Sequence, residues 1–103
     1  MTLLDEHERL TLTEFLHLME QEAFEPRPKV EKNRIFRGAD GQIIVPVVLS
    51  AEEPSLSLAM LMAHKAEHLY KQTGCRFVLA QRLEQDPQNR LVVWAEGSWK
   101  SLP

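Results

Sequence analysis

Residues 42–49 read QIIVPVVL, and this stretch decides the fold because it predicts a strand that is apolar on both faces. Successive side chains of a strand point to opposite faces of a sheet, so a continuous apolar run leaves neither face polar. A sheet that carries helices on one side only should instead show a polar outer face. We therefore expect the second face of this sheet to be covered by the C-terminal tail through Trp99 and Leu102, by another subunit or by a partner protein.

The residues before this strand predict a hairpin. RIFR at residues 34–37 is a second strand-like run, and GADG at residues 38–41 joins the two runs. A turn built from Gly and Asp between such runs is typical of two antiparallel strands. Pro46 has no backbone N–H for the ladder, so we expect its strand to lie at a sheet edge or to be bulged there.

A long helix is predicted after the apolar strand, over residues 52–74. Pro54 suits the first turn of this helix, and Gly74 suits the left-handed position just past its end. Beyond the helix, CRFVLAQR at residues 75–82 and RLVVWAE at residues 90–96 predict a second pair of strands.

Another helix is predicted near the start of the chain. Thr11 and Glu14 have the spacing of a capping box, in which each side chain satisfies a free backbone N–H at the helix start. Leu10 and Phe15 stand at the two positions of a hydrophobic staple. We expect this helix to end before EPRP at residues 25–28, because a proline disfavours helix in the residue before it.

These elements follow the order α-β-β-α-β-β, and the economical architecture for that order is an α+β two-layer sandwich. We expect an antiparallel sheet with both helices on one face. Residues 1–103 should form one domain, with an N-terminal arm at 1–10 and a C-terminal tail at 97–103 that can add a last strand. The element order and the ADG turn at residues 39–41 resemble those of small regulatory roadblock or longin-type domains. No residue role follows from this resemblance.

The composition is that of an ordinary soluble domain, with 44% hydrophobic and 26% charged residues and a net charge of −3. No apolar run reaches the roughly 20 residues of a membrane helix, and the N-terminus lacks a secretory-signal pattern. The single cysteine, Cys75, excludes an internal disulfide and any multi-cysteine metal site. We expect a cytoplasmic protein, most simply a bacterial one.

The charge is distributed unevenly along the chain. Residues 1–25 contain seven acids and one base, whereas residues 26–37 contain five bases and one acid. The basic segment consists of Arg27, Lys29, Lys32, Arg34 and Arg37. The acidic net charge argues against a general nucleic-acid binder. We interpret the segment as a loop that offsets the acidic first helix, with phosphate binding as an alternative.

HKAEH at residues 64–68 matches the His-x-x-Glu-His pattern of inverted zinc peptidases. On a helical wheel of residues 52–74, Ala66 marks the centre of the apolar side, and the opposite direction falls between His64 and His68. A peptidase site needs histidines inside a cleft and a third protein ligand. We therefore interpret these residues as a solvated helix face, with metal binding by the two histidines as an alternative.

Two groups of residues are predicted to contact a partner. Met60 and Leu61 fall on the polar side of the same wheel, beside the two histidines, and methionine is common at adaptable interfaces. The alternation of the last strands predicts an exposed apolar patch on the sheet. The predicted contact residues are Met60, Leu61, His64, His68, Val78, Val92 and Trp94.

The sequence contains no nucleotide-binding fingerprint and singles out no convergent catalytic set, so we expect a protein without a cofactor or catalytic activity. It should act through protein contacts, as a regulatory, adaptor or assembly factor, and form a homodimer. The alternatives are a metal- or small-ligand-binding protein that uses His64 and His68, and a nucleic-acid binder that uses residues 27–37.

Overall fold

The computed structural model describes residues 4–24, 27–95 and 97–102. Within these residues the chain forms two α-helices, six strands and one 3-10 turn. They are α1 (Glu6–Glu20), β1 (Lys29–Val30), the 3-10 turn (Lys32–Arg34), β2 (Phe36–Arg37), β3 (Ile43–Leu49), α2 (Leu56–Thr73), β4 (Phe77–Leu83), β5 (Val92–Ala95) and β6 (Ser98–Ser101). The predicted α+β class is confirmed. Within the described ranges, neither helix is both long enough and apolar enough to cross a membrane.

All six strands belong to one sheet, in the order β1-β3-β4-β5-β6. β2 also pairs with β3, so the two short strands lie beside different halves of the same long strand. The pairs β2–β3 and β4–β5 are antiparallel, as the hairpin signals predict, and the pair β5–β6 is antiparallel as well. The last strand comes from the segment that the sequence marks as a tail.

The two long strands at the centre of the sheet, β3 and β4, differ from the predicted antiparallel arrangement. β3 and β4 run parallel, in register from Ile43 opposite Phe77 to Leu49 opposite Leu83. α2 connects them and crosses over the sheet, which returns the chain to the end where β3 began. A strand pair joined by such a crossover is parallel, so the fold is a βαβ unit with antiparallel strands on either side.

α1 begins earlier than its sequence signal indicates. The capping box is formed by Asp5 and Glu8: the Asp5 side chain accepts from the Glu8 N–H at 2.7 Å, and the Glu8 carboxylate accepts from the Asp5 N–H at 3.1 Å. Thr11 is buried inside the helix, and its hydroxyl donates to the His7 carbonyl at 2.9 Å. The prediction of an arm over residues 1–10 is therefore wrong for residues 6–10, while residues 1–3 lie outside the described part.

Pro46 lies in an inner strand, which contradicts the edge position expected for it. Its carbonyl accepts from the Glu31 N–H at 2.9 Å, so its nitrogen faces the same side of β3. On that side β1 ends opposite Val47 and β2 begins opposite Ile44, with the 3-10 turn between them. The proline is tolerated because the ladder is interrupted where its missing N–H would be needed.

α2 has well-defined ends. Ser55 is its N-cap and accepts from the Leu58 N–H, so Pro54 lies just outside the helix and not in its first turn. Gly74 ends it with a φ of 79° and donates to the Tyr70 carbonyl, as the sequence predicts. A side chain is disfavoured at that φ, which explains the glycine.

The main core lies between the helices and one face of the sheet. Phe15 of α1 stacks on Phe77 of β4, with ring centroids 5.3 Å apart and planes 7° from parallel. Buried residues of both helices and of β3 and β4 surround this pair, and they include Met19, Ile43, Val45, Val47, Leu49, Leu58, Met62, Ala66 and Leu69. The packing confirms that both helices lie on one face of the sheet.

A second, smaller apolar cluster occupies the other face. We call it the outer-face cluster: Ile44, Ala80 and Val93 are buried, and Phe36, Val78, Leu91 and Leu102 pack against them. All seven come from strands or from residues flanking them, and neither described helix contributes to the cluster.

Candidate functional site

The predicted contact residues lie in three separate places. β4 and β5 are in register at Gln81 opposite Val92. Since Gln81 faces α2 and bonds to Ser55, Val92 and then Trp94 share the helix side of the sheet. Val78 precedes Gln81 by three positions in the same strand, so its side chain points to the opposite face, where it belongs to the outer-face cluster. The prediction that Val78, Val92 and Trp94 form one patch is therefore wrong, because the register puts the two β5 residues on the other face.

The predicted apolar outer face is nevertheless present: it contains Val78, as predicted, and it has Val93 and Leu91 of the β5 region in place of Val92 and Trp94. Ile44 is 3% exposed and Ala80 is fully buried, although neither lies under a helix. Phe36 and Leu102 pack over them from β2 and from the end of β6, and both remain partly exposed. Gly38 also lies close, since a Cβ there would approach Ile44 Cδ1 to 3.3 Å. The chain thus covers the centre of this face with its own strands and leaves the rim of the cluster in contact with solvent.

One side of the outer face is polar. Arg82 donates to both carboxylate oxygens of Glu31, at 3.2 and 3.3 Å, and also to the Asn89 side chain at 3.0 Å. Arg34 forms a second ion pair with Glu31 at 3.3 Å. Burial acts to raise the pKa of Glu31, but the hydrogen bonds from Arg82 and Arg34 outweigh it and hold that pKa below its usual range.

Three of the five cations of the basic segment are engaged within the molecule. Arg27 donates to the Glu20 carbonyl at 2.9 Å, and Arg34 pairs with Glu31. Arg37 bonds to Glu8 at 2.9 Å, and this hydrogen bond is the main reason that the pKa of Glu8 lies below its usual range. Lys29 and Lys32 remain exposed. The segment therefore offers less free positive charge to a phosphate backbone than its composition suggests.

The two histidines of the HKAEH segment lie on the exposed side of α2, whereas Ala66 between them is buried in the main core. His64 and His68 are both exposed, as the wheel predicts. Between them, Lys65 pairs with Glu22 at 3.1 Å and Glu67 pairs with Lys71 at 3.4 Å. Among the described residues, no group of three His, Cys, Asp or Glu side chains is placed to hold a metal ion.

The helical wheel predicts that Met60 and Leu61 both lie on the exposed side of α2. Met60 is 57% exposed, as predicted, but the prediction for Leu61 is wrong. Leu61 is partly buried and packs against the main core. α1 lies against α2, so the buried side of α2 is wider than the sheet alone would make it. A wheel drawn for one helix does not include a neighbouring helix, and for this reason the pattern misplaced Leu61.

A cleft lies between α2 and the strands. Its walls are three alanines of α2, three residues of β4 and one tryptophan of β5, namely Ala59, Ala63, Ala66, Phe77, Val78, Leu79 and Trp94. Its volume is about 280 Å³. We call it the α2–Trp94 cleft. Among the described residues, β4 and β5 are in register at Gln81 opposite Val92, and the cleft lies toward the start of β4, away from that pair.

Three charged or polar side chains border the cleft. They are Glu67, Tyr70 and Arg76, all exposed. The Arg76 guanidinium stands over the Tyr70 ring, 5.6 Å from its centroid, which is a cation–π contact. The sequence patterns predict neither Tyr70 nor Arg76 as a site residue. Gly74 is the sequence feature that could have indicated this placement, because the turn at this residue brings Arg76 back over the end of α2.

Trp94 is held in place by its neighbour across the ladder. It lies opposite Trp99 of β6, and the two indoles meet edge to face, with centroids 5.3 Å apart and planes 70° from parallel. Such pairs favour one relative orientation. The wall of the cleft on the β5 side is therefore fixed before any ligand arrives.

Comparisons with known protein families, with curated proteins and with solved structures gave no match to this chain.

Proposed function

We propose that this is a small, non-catalytic cytoplasmic protein that acts through protein contacts, as a regulatory, adaptor or assembly factor, and that it forms a homodimer through the outer face of its sheet. The observation that carries the proposal is the outer-face cluster. Its seven apolar residues have no helix over them in the described part of the chain. Contiguous apolar surface of this kind marks interaction sites on soluble proteins.

The size of the face supports a second copy of the chain as the partner. The molecule measures 35 × 28 × 26 Å. One broad face of such a body offers on the order of 700–1,000 Å² of surface, which meets the ~800 Å² per partner of a standard interface. Two-fold symmetric dimers are the commonest soluble oligomers, and they require one patch that can pack on itself.

The layout of charges on this face also suits self-association. The apolar cluster is bordered on one side by Glu31, Arg34 and Arg82, which form two ion pairs within the chain and together carry one net positive charge. A border of paired charges adds little repulsion when two copies approach. The free energy of association would come from the apolar residues, at roughly 25 cal/mol for each Å² removed from water.

The oligomeric state tests this proposal. Native mass spectrometry and light scattering of the wild-type protein at tens of micromolar should give twice the mass of one chain. Leu91→Lys and Phe36→Lys each place a charge in the outer-face cluster, where both residues are partly exposed. Each variant should shift the protein to a monomer, because an unpaired charge is costly in an apolar interface.

Met60→Lys is the matched control, since Met60 is exposed on α2, on the opposite side of the molecule. This variant should remain dimeric. Circular dichroism should show that all three variants keep the helix and strand content of the wild type. A wild-type protein that is monomeric at these concentrations refutes the proposal, as does a dimer that survives both outer-face substitutions and dissociates with Met60→Lys.

A further inference from the structure

The α2–Trp94 cleft has the features of a small-molecule site. Its walls are apolar, and the small side chains of Ala59, Ala63 and Ala66 on α2 leave the space that the cleft occupies. Ligand pockets of proteins combine such apolar walls with a few polar groups that orient the ligand. Here the polar groups are the exposed side chains of Tyr70 and Arg76 at one border.

The charges at the border favour an anion. Glu67 is already paired with Lys71 at 3.4 Å, whereas Arg76 has no carboxylate partner among the described residues. The contact with the Tyr70 ring holds the guanidinium near the cleft and leaves its N–H groups available. A guanidinium binds a carboxylate with two parallel hydrogen bonds, which favours that group over a neutral one.

The volume of the cleft sets the size of the apolar part of the ligand. A cavity of roughly 150 Å³ accommodates one benzene ring in other proteins. The volume here is about 280 Å³, so it accommodates two fused rings. The indole of Trp94 supplies an aromatic wall whose orientation is fixed by Trp99, and a preorganised wall lowers the cost of binding.

We propose that the α2–Trp94 cleft binds a small aromatic carboxylate, with its fused rings between α2 and Trp94 and its carboxylate on Arg76. The cleft opens on the helix side of the sheet, whereas the outer-face cluster lies on the other side, and Val78 is the one residue that belongs to both. The proposed ligand contacts at Arg76, Ala63 and Trp94 lie outside the proposed dimer surface, so each proposal can fail without the other.

The test compares two ligands that differ only in charge. 2-Naphthoate carries the carboxylate, and 2-naphthamide is its neutral counterpart of the same shape. NMR titration of the wild-type protein should shift the indole N–H of Trp94 and the amide of Ala63 with both compounds. The carboxylate should bind about fivefold more tightly, which is the effect of one partly exposed ion pair of ~1 kcal/mol.

Two variants separate the roles of the charge and the walls. Arg76→Gln should abolish the preference for 2-naphthoate and leave the affinity for 2-naphthamide unchanged, which also shows that the cleft is intact. Ala63→Leu fills the cleft from an exposed position and should lower the affinity for both compounds at least tenfold. Arg90→Gln is the control, because Arg90 pairs with Asp86 in the β4–β5 loop and should leave both affinities unchanged.

Three results would overturn the proposal. The first is no shift at Trp94 with 2-naphthoate up to about 1 mM, a concentration at which even a weak site binds. The second is equal affinity of the wild type for the two compounds. The third is binding outside the cleft. It would be seen as wild-type affinity of the Ala63→Leu variant for the compounds, or as shifts centred on Leu91 and Phe36 of the outer face.

Discussion

The two faces of the sheet are built from the same strands, yet they have different roles. Along β3, Val45 and Val47 face the helices and are fully buried under them. Ile44 alternates with them and faces outward, where it is buried mainly by other strand residues. Both faces are apolar, but in the part of the chain that the structure describes only one has helices packed over it. The comparison shows that an apolar strand indicates burial without indicating which partner provides it.

The two faces of the sheet also differ in the polar side chains that they carry and in how far these are exposed. On the helix side, the one buried polar side chain of β4 is Gln81, which accepts from the Ser55 N–H at 2.8 Å and donates to the Ser55 carbonyl at 3.1 Å. On the outer side, Glu31 and Arg82 remain partly exposed and form ion pairs. The covered face requires satisfied hydrogen bonds, whereas the open face tolerates charge.

The largest expected effect tests whether the helix-side face is the principal core. Phe15→Ala should lower the free energy of unfolding by about 3–5 kcal/mol, because it removes a fully buried ring that stacks on Phe77. Phe36→Ala removes the same ring from the outer-face cluster, where it is partly exposed, and should cost about 1–2 kcal/mol in the monomer. Urea denaturation of both variants measures the difference. Equal losses would mean that the outer face is a core in its own right.

An intermediate effect is expected at the hydrogen bonds between the sheet and the start of α2. Gln81→Leu should cost about 2–3 kcal/mol, since it leaves the Ser55 N–H without its partner and removes one of the two hydrogen bonds to the Ser55 carbonyl, which still accepts from the Ala59 N–H. Gln85→Leu is the matched control, because Gln85 donates to the Ala51 carbonyl from an exposed position. Thermal denaturation should show a clear loss for the first variant and little change for the second. A neutral Gln81→Leu would mean that water replaces the lost bonds.

The smallest expected effect concerns the ion pairs of the outer face. Glu31→Gln should cost about 1 kcal/mol at neutral pH, because it weakens the bonds from Arg82 and Arg34. The pKa of Glu31 is lowered in the folded protein. Its contribution is therefore complete above the ordinary glutamate value and is lost as the pH falls through the lowered pKa.

Urea denaturation at a series of pH values checks this prediction. The stability difference between wild type and Glu31→Gln should be constant near neutral pH and should shrink in acid. Both proteins should still lose stability in acid, because the pKa values of Glu8 and Asp86 are also lowered, by hydrogen bonds from Arg37 and from the Gln88 N–H respectively. A difference that persists at acidic pH would show that Glu31 acts through packing and not through charge.

The sequence predicted the elements well and their ends less well. The helix end at Gly74 was found because only a few residues suit a left-handed φ, here 79°. The start of α1 was placed at Thr11, one valid capping pattern, when Asp5 and Glu8 provide the cap. Two capping patterns overlap in this segment, and nothing local decides between them. Burial of Thr11 against the rest of the protein is a tertiary contribution.

The candidate sites were predicted in part. Strand alternation predicts Trp94 as a contact residue but puts it on the same face as Val78, whose side chain packs in the outer-face cluster. A shift of one residue in strand register moves every side chain to the opposite face. The register of β4 and β5 depends on the long loop between them and on one pair of residues. Alternation within each strand therefore could not determine which of their residues share a side.

By itself, the sequence determined that β3 is apolar on both faces, that two helices and several strands alternate, and where α2 ends. These features depend on residues close together in the chain, through side-chain period and backbone conformation. Only the tertiary structure decided that β3 and β4 are parallel, that Pro46 fits an inner strand, and that Arg76 and Trp94 border one cleft. These features depend on contacts between distant residues, and a local pattern does not encode the register and crossover that create them.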